Sequence, residues 1–197
     1  MEPSKILKYC KKLGFDVVSI TDHDSLKGSL EAKKYENEFN IKVIVGEEIK
    51  TDFGDIIGLN LNEEIKSRQF IEVIDEIRSQ GGISVFPHPF RGHKHIEYIA
   101  SKADIIEVFN ARSNFMENRK SFELVCELKK PYLAGSDAHL YAEIGNSIMY
   151  FDDLFGYNKI YNTRESRKFQ KTQSHVIRDI KLQKYYKLPF HLLRLIF

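Results

Sequence analysis

The sequence predicts an α/β fold in which helices pack on a largely parallel sheet or barrel. Short β-branched apolar runs alternate with amphipathic segments of helical period, and no segment repeats another. The chain has 197 residues, 42% of them hydrophobic and 29% charged, which suits one domain able to bury roughly 70% of its unfolded surface without a metal or disulfide. Any metal site is therefore expected to serve function.

The first helix is expected where Ile6, Cys10 and Leu13 share a face. A strand follows at residues 16–21 (DVVSIT), then a helix over 26–39 and strands at 42–46 and 56–61. The next helix presents Phe70, Ile74 and Ile77 on one side and stops at Gly81-Gly82. Strands at 83–87 and 105–109 precede a helix expected to bury Phe122, Val125 and Leu128 and to end before Pro131. Strands at 132–135 and 147–151 complete the series. Each is short and apolar, as a strand covered on both faces should be.

From residue 157 the rhythm stops, and a boundary is expected there: a body, 1–156, and an appended arm, 157–197, rather than a second domain. In the arm Val176, Ile177 and Ile180, extended toward Lys184 and Tyr185, form a helical face that Pro189 closes. The net charge of +2 argues against a wholly basic nucleic-acid surface, yet it is a sum of unlike parts. The arm carries ten basic and two acidic residues, +8, and the body is −6. No apolar run reaches the ~20 residues of a membrane span, and lysines interrupt the N-terminus where a secretory signal needs an apolar stretch. A cytoplasmic protein with no membrane partner is expected. Cys10 and Cys126 fall in helical segments and are read as buried or half-buried thiols, not as a disulfide or metal pair.

Polar residues recur at one structural position. VVSIT runs into Asp22-His23-Asp24, VIV into Gly46-Glu47-Glu48, ISVFP into His88-Pro89, IIEVFN carries Glu107, and YLAGS runs into Asp137-Ala138-His139. Ends of parallel strands open on one face, so such residues converge on a single pocket. Imidazole and carboxylate without cysteine suit Zn, Mn or Fe. Asp24 and Ser25 are read as caps of the following helix, Glu47 as solvent-facing, and His93 and His95 as an exposed loop.

Thr21-Asp22-His23-Asp24, Gly46-Glu47-Glu48-Ile49, Pro87-His88-Pro89, Glu107-Val108-Phe109-Asn110 and Gly135-Ser136-Asp137-Ala138-His139 resemble, in order, the motifs of the PHP (polymerase and histidinol phosphatase) domain. The resemblance covers about residues 1–153. It implies a distorted β/α barrel of seven strands with two or three divalent ions, Mn, Fe or Zn. It further implies His23, Glu48, His88, Asp137 and His139 as metal ligands, with Glu48 bridging. The family's opening strand and its His-x-His motif do not precede the first helix, so a barrel lacking its first strand is expected. Met1 is accordingly read as a truncated or mis-assigned start, with an upstream segment completing the site. Asp55 stands where many members have a His and is expected to serve as an oxygen ligand.

The activity implied is hydrolysis of a phosphomonoester or phosphodiester by metal-activated water, acting on a phosphorylated small molecule or nucleotide. Asp22 is expected to orient His23, and Arg91 and Arg112 to grip the phosphate. A rival expectation is a metal-poor, inactive scaffold binding nucleic acid or an acidic partner through the arm, where Tyr161, Phe169, Tyr185 and Tyr186 offer stacking faces. A nuclease would combine the two. An unpaired sheet edge would allow pairing with another subunit, and the sequence leaves the oligomeric state open.

Overall fold

The structure, a computed structural model, describes residues 1–151, 158–184, 187 and 191. Tyr185, Tyr186, Pro189 and Arg194 lie outside the described residues. Helix α1 (Pro3–Lys12) begins with proline in its first turn, where the missing N–H costs nothing, and buries Ile6, Leu7 and Cys10. Leu13 falls past its end and is 48% exposed, so it does not extend that face as expected. The segment expected as one helix over 26–39 is two, α2 (Lys27–Lys33) and α3 (Glu36–Phe39). The break lets the Glu36 carboxylate accept a hydrogen bond from Val43 N (2.5 Å), which ties α3 to the start of the next strand.

Strands β1 (Val17–His23), β2 (Lys42–Thr51), β3 (Gly54–Leu59), β4 (Ile83–Phe86), β5 (Ile105–Asn110) and β6 (Tyr132–Gly135) form one curled sheet in that spatial order. The sheet is a six-stranded half-barrel edged by β1 and β6, where the expectation was the family's seven-stranded barrel lacking its first strand. It is also mixed: β3 runs antiparallel to both β2 and β4, whereas β1–β2, β4–β5 and β5–β6 are parallel. A tight hairpin causes the reversal. Thr51 Oγ donates to Gly54 O (2.6 Å) and accepts from Phe53 N (3.1 Å), and Gly54 takes φ +129, which a side chain would resist. The start of β3 therefore sits beside the C-terminal ends of its neighbours, with Asp55 opposite Lys50.

The principal core joins the sheet to α4 (Phe70–Ser79), α5 (Ile96–Lys102) and α6 (Phe115–Leu128) through residues such as Ile49, Ile56, Phe70, Ile74, Ile99 and Ile106. The short α5 was not foreseen. Helix α6 opens with a capping box between Asn114 and Glu117, yet it buries Asn118, Ser121, Leu124 and Val125 rather than the face through Phe122 and Leu128. Phe122 is 57% exposed, and Cys126 is exposed, contrary to expectation, while Cys10 is buried as expected.

The C-terminal segment forms further regular structure. Strand β7 (Ser147–Phe151) pairs antiparallel with β8 (Asn158–Thr163), so the boundary expected after residue 156 falls between two paired strands. Arg164 N then bonds Asn146 O (2.7 Å) and Ser166 N bonds Ala111 O (2.6 Å), which lead into α7 (Lys168–Lys181). This helix begins earlier than expected and buries Thr172, Ser174 and Asp179, leaving Ile177 and Ile180 exposed. Among the described residues no helix is long and apolar enough to cross a membrane.

Candidate metal centre

Because β3 is reversed, the ends of β1, β2, β4, β5 and β6 and the start of β3 meet on one rim. Glu48 on β2 and His88 just past β4 are both buried there. His88 Nε2 lies 3.0 Å from Glu48 Oε1, and His23 Nε2, at the exposed end of β1, lies 3.7 Å from Glu48 Oε2. One carboxylate thus faces two imidazoles, an oxygen to each. His88 holds φ +33, an uncommon value for a residue with a side chain, and its N–H donates to Glu107 Oε2 (2.7 Å).

His93 joins this group, although the sequence suggested an exposed loop. Its ring stands edge-on to Phe86 (4.9 Å) and beside His88 (5.2 Å), and its Nε2 lies 2.9 Å from Asp55 N and 3.0 Å from Asp55 O; the tautomer that donates to that carbonyl leaves Nδ1 with its lone pair. A Cβ at Gly54 would strike the His93 ring, so that glycine admits the imidazole. Ligand atoms of Asp55, His88 and His93 all lie within 4.8 Å of one another. Nδ1 of His88 and Nδ1 of His93 are buried without a hydrogen-bond partner. Unpaired buried nitrogens are costly in a folded chain, and a divalent cation would satisfy them. Two imidazoles with carboxylates fit Zn, Mn or Fe.

A second group follows β5 and β6. Asp137, at φ +46, receives Arg91 Nη2 on Oδ2 (2.5 Å), while His139 Nδ1 lies 3.4 Å from its Oδ1. Burial works against the Asp137 carboxylate, but the charges of Arg91 and His139 prevail and lower its pKa. Arg91 Nη1 also donates to Asn110 Oδ1 (2.9 Å), so its fork is fixed in place. Glu107 is enclosed between His88 N and Asn110 Nδ2, and burial raises its pKa to about 7 against the pull of His88. Burial depresses protonation of His88, but the Glu48 hydrogen bond and the nearby carboxylates outweigh it and raise the pKa. Burial and the adjacent His88 lower that of His93.

Several expected roles are displaced. Asp22 directs its carboxylate at Gly28 of α2, since alternate residues of a strand point to opposite faces, and it does not orient His23. Arg112 is committed elsewhere: Nη1 meets both oxygens of buried Glu143 (2.9 and 3.1 Å) and Nη2 donates to Ser174 Oγ (2.8 Å). It forms a buried ion pair with Glu143 in place of the free fork expected of a phosphate clamp. Glu143 also accepts from His139 N (2.9 Å) and Leu140 N (3.0 Å), so this pair braces the His139 loop. Glu47, expected to face solvent, is buried on the other side of the sheet and accepts from Ile65 N (2.6 Å). Asp24 accepts from Lys50 N (3.2 Å) instead of capping α2, whereas Ser25 Oγ does accept from Lys27 N (3.3 Å).

The family model described as PHP-associated matches residues 115–157. An uncharacterised Methanocaldococcus jannaschii protein, MJ1587, is 41% identical over 136 residues, 64% of this chain and 78% of that one. Among solved structures, a two-domain Bacteroides vulgatus protein containing a predicted PHP-like metal-dependent phosphoesterase shares the fold at TM-score 0.56 and 17% identity, over 67% of this chain and 46% of its own. The chain thus spans under half the length of that protein. An amidohydrolase from Chromobacterium violaceum, solved with bound sulfate and no metal, aligns at TM-score 0.62 and 13% identity, over 84% of this chain and 89% of its own. Close sequence kinship to the archaeal protein, the PHP-associated segment and the shared half-barrel agree with the ordered motifs, and the chain belongs to the PHP family.

Proposed function

We propose that this protein hydrolyses a phosphoester of a small molecule or nucleotide with the help of divalent ions. The observation that carries the reading is the pair of buried, unpartnered imidazole nitrogens of His88 and His93 beside Asp55 and Glu48, a few residues from the fixed guanidinium of Arg91. Asp55, His88 and His93 would hold one ion. His23, Asp137 and His139 would hold another, with Glu48 between the two groups. Such ions supply acidified water and neutralise phosphoryl charge, and Mn, Fe or Zn suits these donors. Arg91, braced by Asp137 and Asn110, directs its remaining donor capacity at the phosphate. The sulfate held by the Chromobacterium amidohydrolase, a tetrahedral oxyanion, is consistent with a phosphate ligand on this fold.

Elemental analysis and a phosphatase assay with added Mn test the reading. Purified protein is expected to carry near-stoichiometric Mn, Fe or Zn and to release phosphate, and His88→Ala and Asp137→Ala to lose both. Wild-type metal content and activity in His88→Ala would remove this site from the chemistry, and metal-free protein with salt-sensitive binding to single-stranded DNA would favour the scaffold reading.

A further inference from the structure

Helix α7 packs beside the candidate metal centre, with Ser174 against Arg112 and a groove shared with His139. Arg91 pairs with Asp137 and Arg112 with Glu143, so each guanidinium has its own carboxylate. Lys171, half-buried on α7, stands one turn before Ser174, whose Oγ accepts from Arg112 Nη2 (2.8 Å) and donates to Lys171 O (2.8 Å). Among the described residues the Lys171 amine makes no salt bridge, and Glu165 and Glu117 attract it only from farther off. Burial depresses its pKa, and Arg112 and Arg91 act in the same direction. A half-buried ammonium that makes no salt bridge is relieved by a bound anion.

One turn along α7, a groove of about 250 Å³ opens between the helix and His139, lined by His139, Ser174, Ile177, Arg178, Lys181 and Leu182. Ile177, Leu182 and the aliphatic stems of Arg178 and Lys181 make its wall chiefly apolar, with cationic ends at the rim. It is smaller than the roughly 300 Å³ at which drug-sized pockets begin, so it suits one ring or a short carbon chain and not a polynucleotide. It is also continuous with His139, a residue of the candidate centre.

We infer that α7 is the substrate-recognition element: Lys171, with Arg91, receives the phosphoryl oxygens, and the groove beside His139 receives the carbon body of a small phosphomonoester. The inference rests on the phosphoesterase reading but is tested apart from it. Calorimetry with inorganic phosphate and with phenylphosphonate is run on the full chain, metal-free and Mn-loaded, alongside metal analysis. Lys171→Met is expected to weaken phosphate binding about tenfold or more in both states at unchanged metal content, with Lys171→Arg restoring most of it. Ile177→Glu is expected to abolish any preference for phenylphosphonate over phosphate, read as the ratio of the two affinities in the same protein. Equal phosphate affinity in wild type and Lys171→Met, or an undiminished phenylphosphonate preference in Ile177→Glu, overturns the inference whatever the metal content. Failure of the wild type to load metal overturns the phosphoesterase reading instead.

Discussion

Glu107 and His88 make the stability of the metal-free protein pH-dependent, and the sign is the same for both. The Glu107 pKa rises from 4.5 to about 7 on folding, so its contribution is complete below 4.5 and is lost as pH climbs through about 7. His88 is raised above 6.5, and its contribution is lost as pH climbs through that raised value. The melting temperature of metal-free protein should therefore fall between about pH 5 and pH 8, the Glu107 share being at most about 3 kcal/mol, and Glu107→Gln should flatten the slope. Scanning fluorimetry across that range measures it. Metal uptake runs the other way, because the ligands must shed protons to bind.

The Arg112–Glu143 pair sits with side chains only 7% and 0% exposed. Removing one partner leaves the other charged in a dry setting. Arg112→Ala is accordingly expected to cost about 3–5 kcal/mol in urea unfolding and to loosen the His139 loop, with Arg112→Lys intermediate because it loses the two-pronged geometry. Its position just after Glu107 made it look like a clamp, and nothing in the local sequence announced Glu143, thirty-one residues on, as its partner.

At the scale of elements, α6 shows how apolar periodicity misleads. Its buried face is part polar because Asn118 is bonded to β5, donating to Asn110 O (3.2 Å) and accepting from Asn110 N (2.9 Å). The apolar stripe through Phe122 consequently points outward. Leu124→Ala should cost about 2–4 kcal/mol in chemical denaturation and Phe122→Ala no more than about 0.5 kcal/mol; the opposite order would show that the helix is rotated from this position. The reversal of β3 is a similar case. Its apolar run signalled a strand, but direction depends on a hairpin held by Thr51 and Gly54, and this is what brings Asp55 to the rim.

For the molecule as a whole, the C-terminal segment is tied to the body by strand pairing with β7, by backbone bonds to Ala111 and Asn146, and by Ser174 against Arg112. Truncation after residue 156 is expected to lower the melting temperature by more than about 5 °C and to weaken phosphate binding. An unchanged melting curve would show instead that the segment is a detachable arm. Among the described residues its basic side chains have two settings, since Arg178 and Lys181 line the groove beside His139 while Lys168 and Lys184 stay exposed.

Most of the architecture was legible in the residues. All seven expected strands exist; His88, Asp137 and His139 follow strand ends, while Glu48 lies within β2, whose strand runs on past it to Thr51. Strand character and chain order are local properties, written in β-branched runs and in the polar residue that ends each run. His93, Lys171, the engaged Arg112 and the averted Asp22 were decided only by the tertiary structure. Each depends on which groups a fold brings within a few ångströms across long separations in sequence, and on which of two faces a strand turns to the site. Charge pairing and burial are properties of those meetings, so the identities of the residues named the chemistry available, and the packing chose which of them are free to perform it.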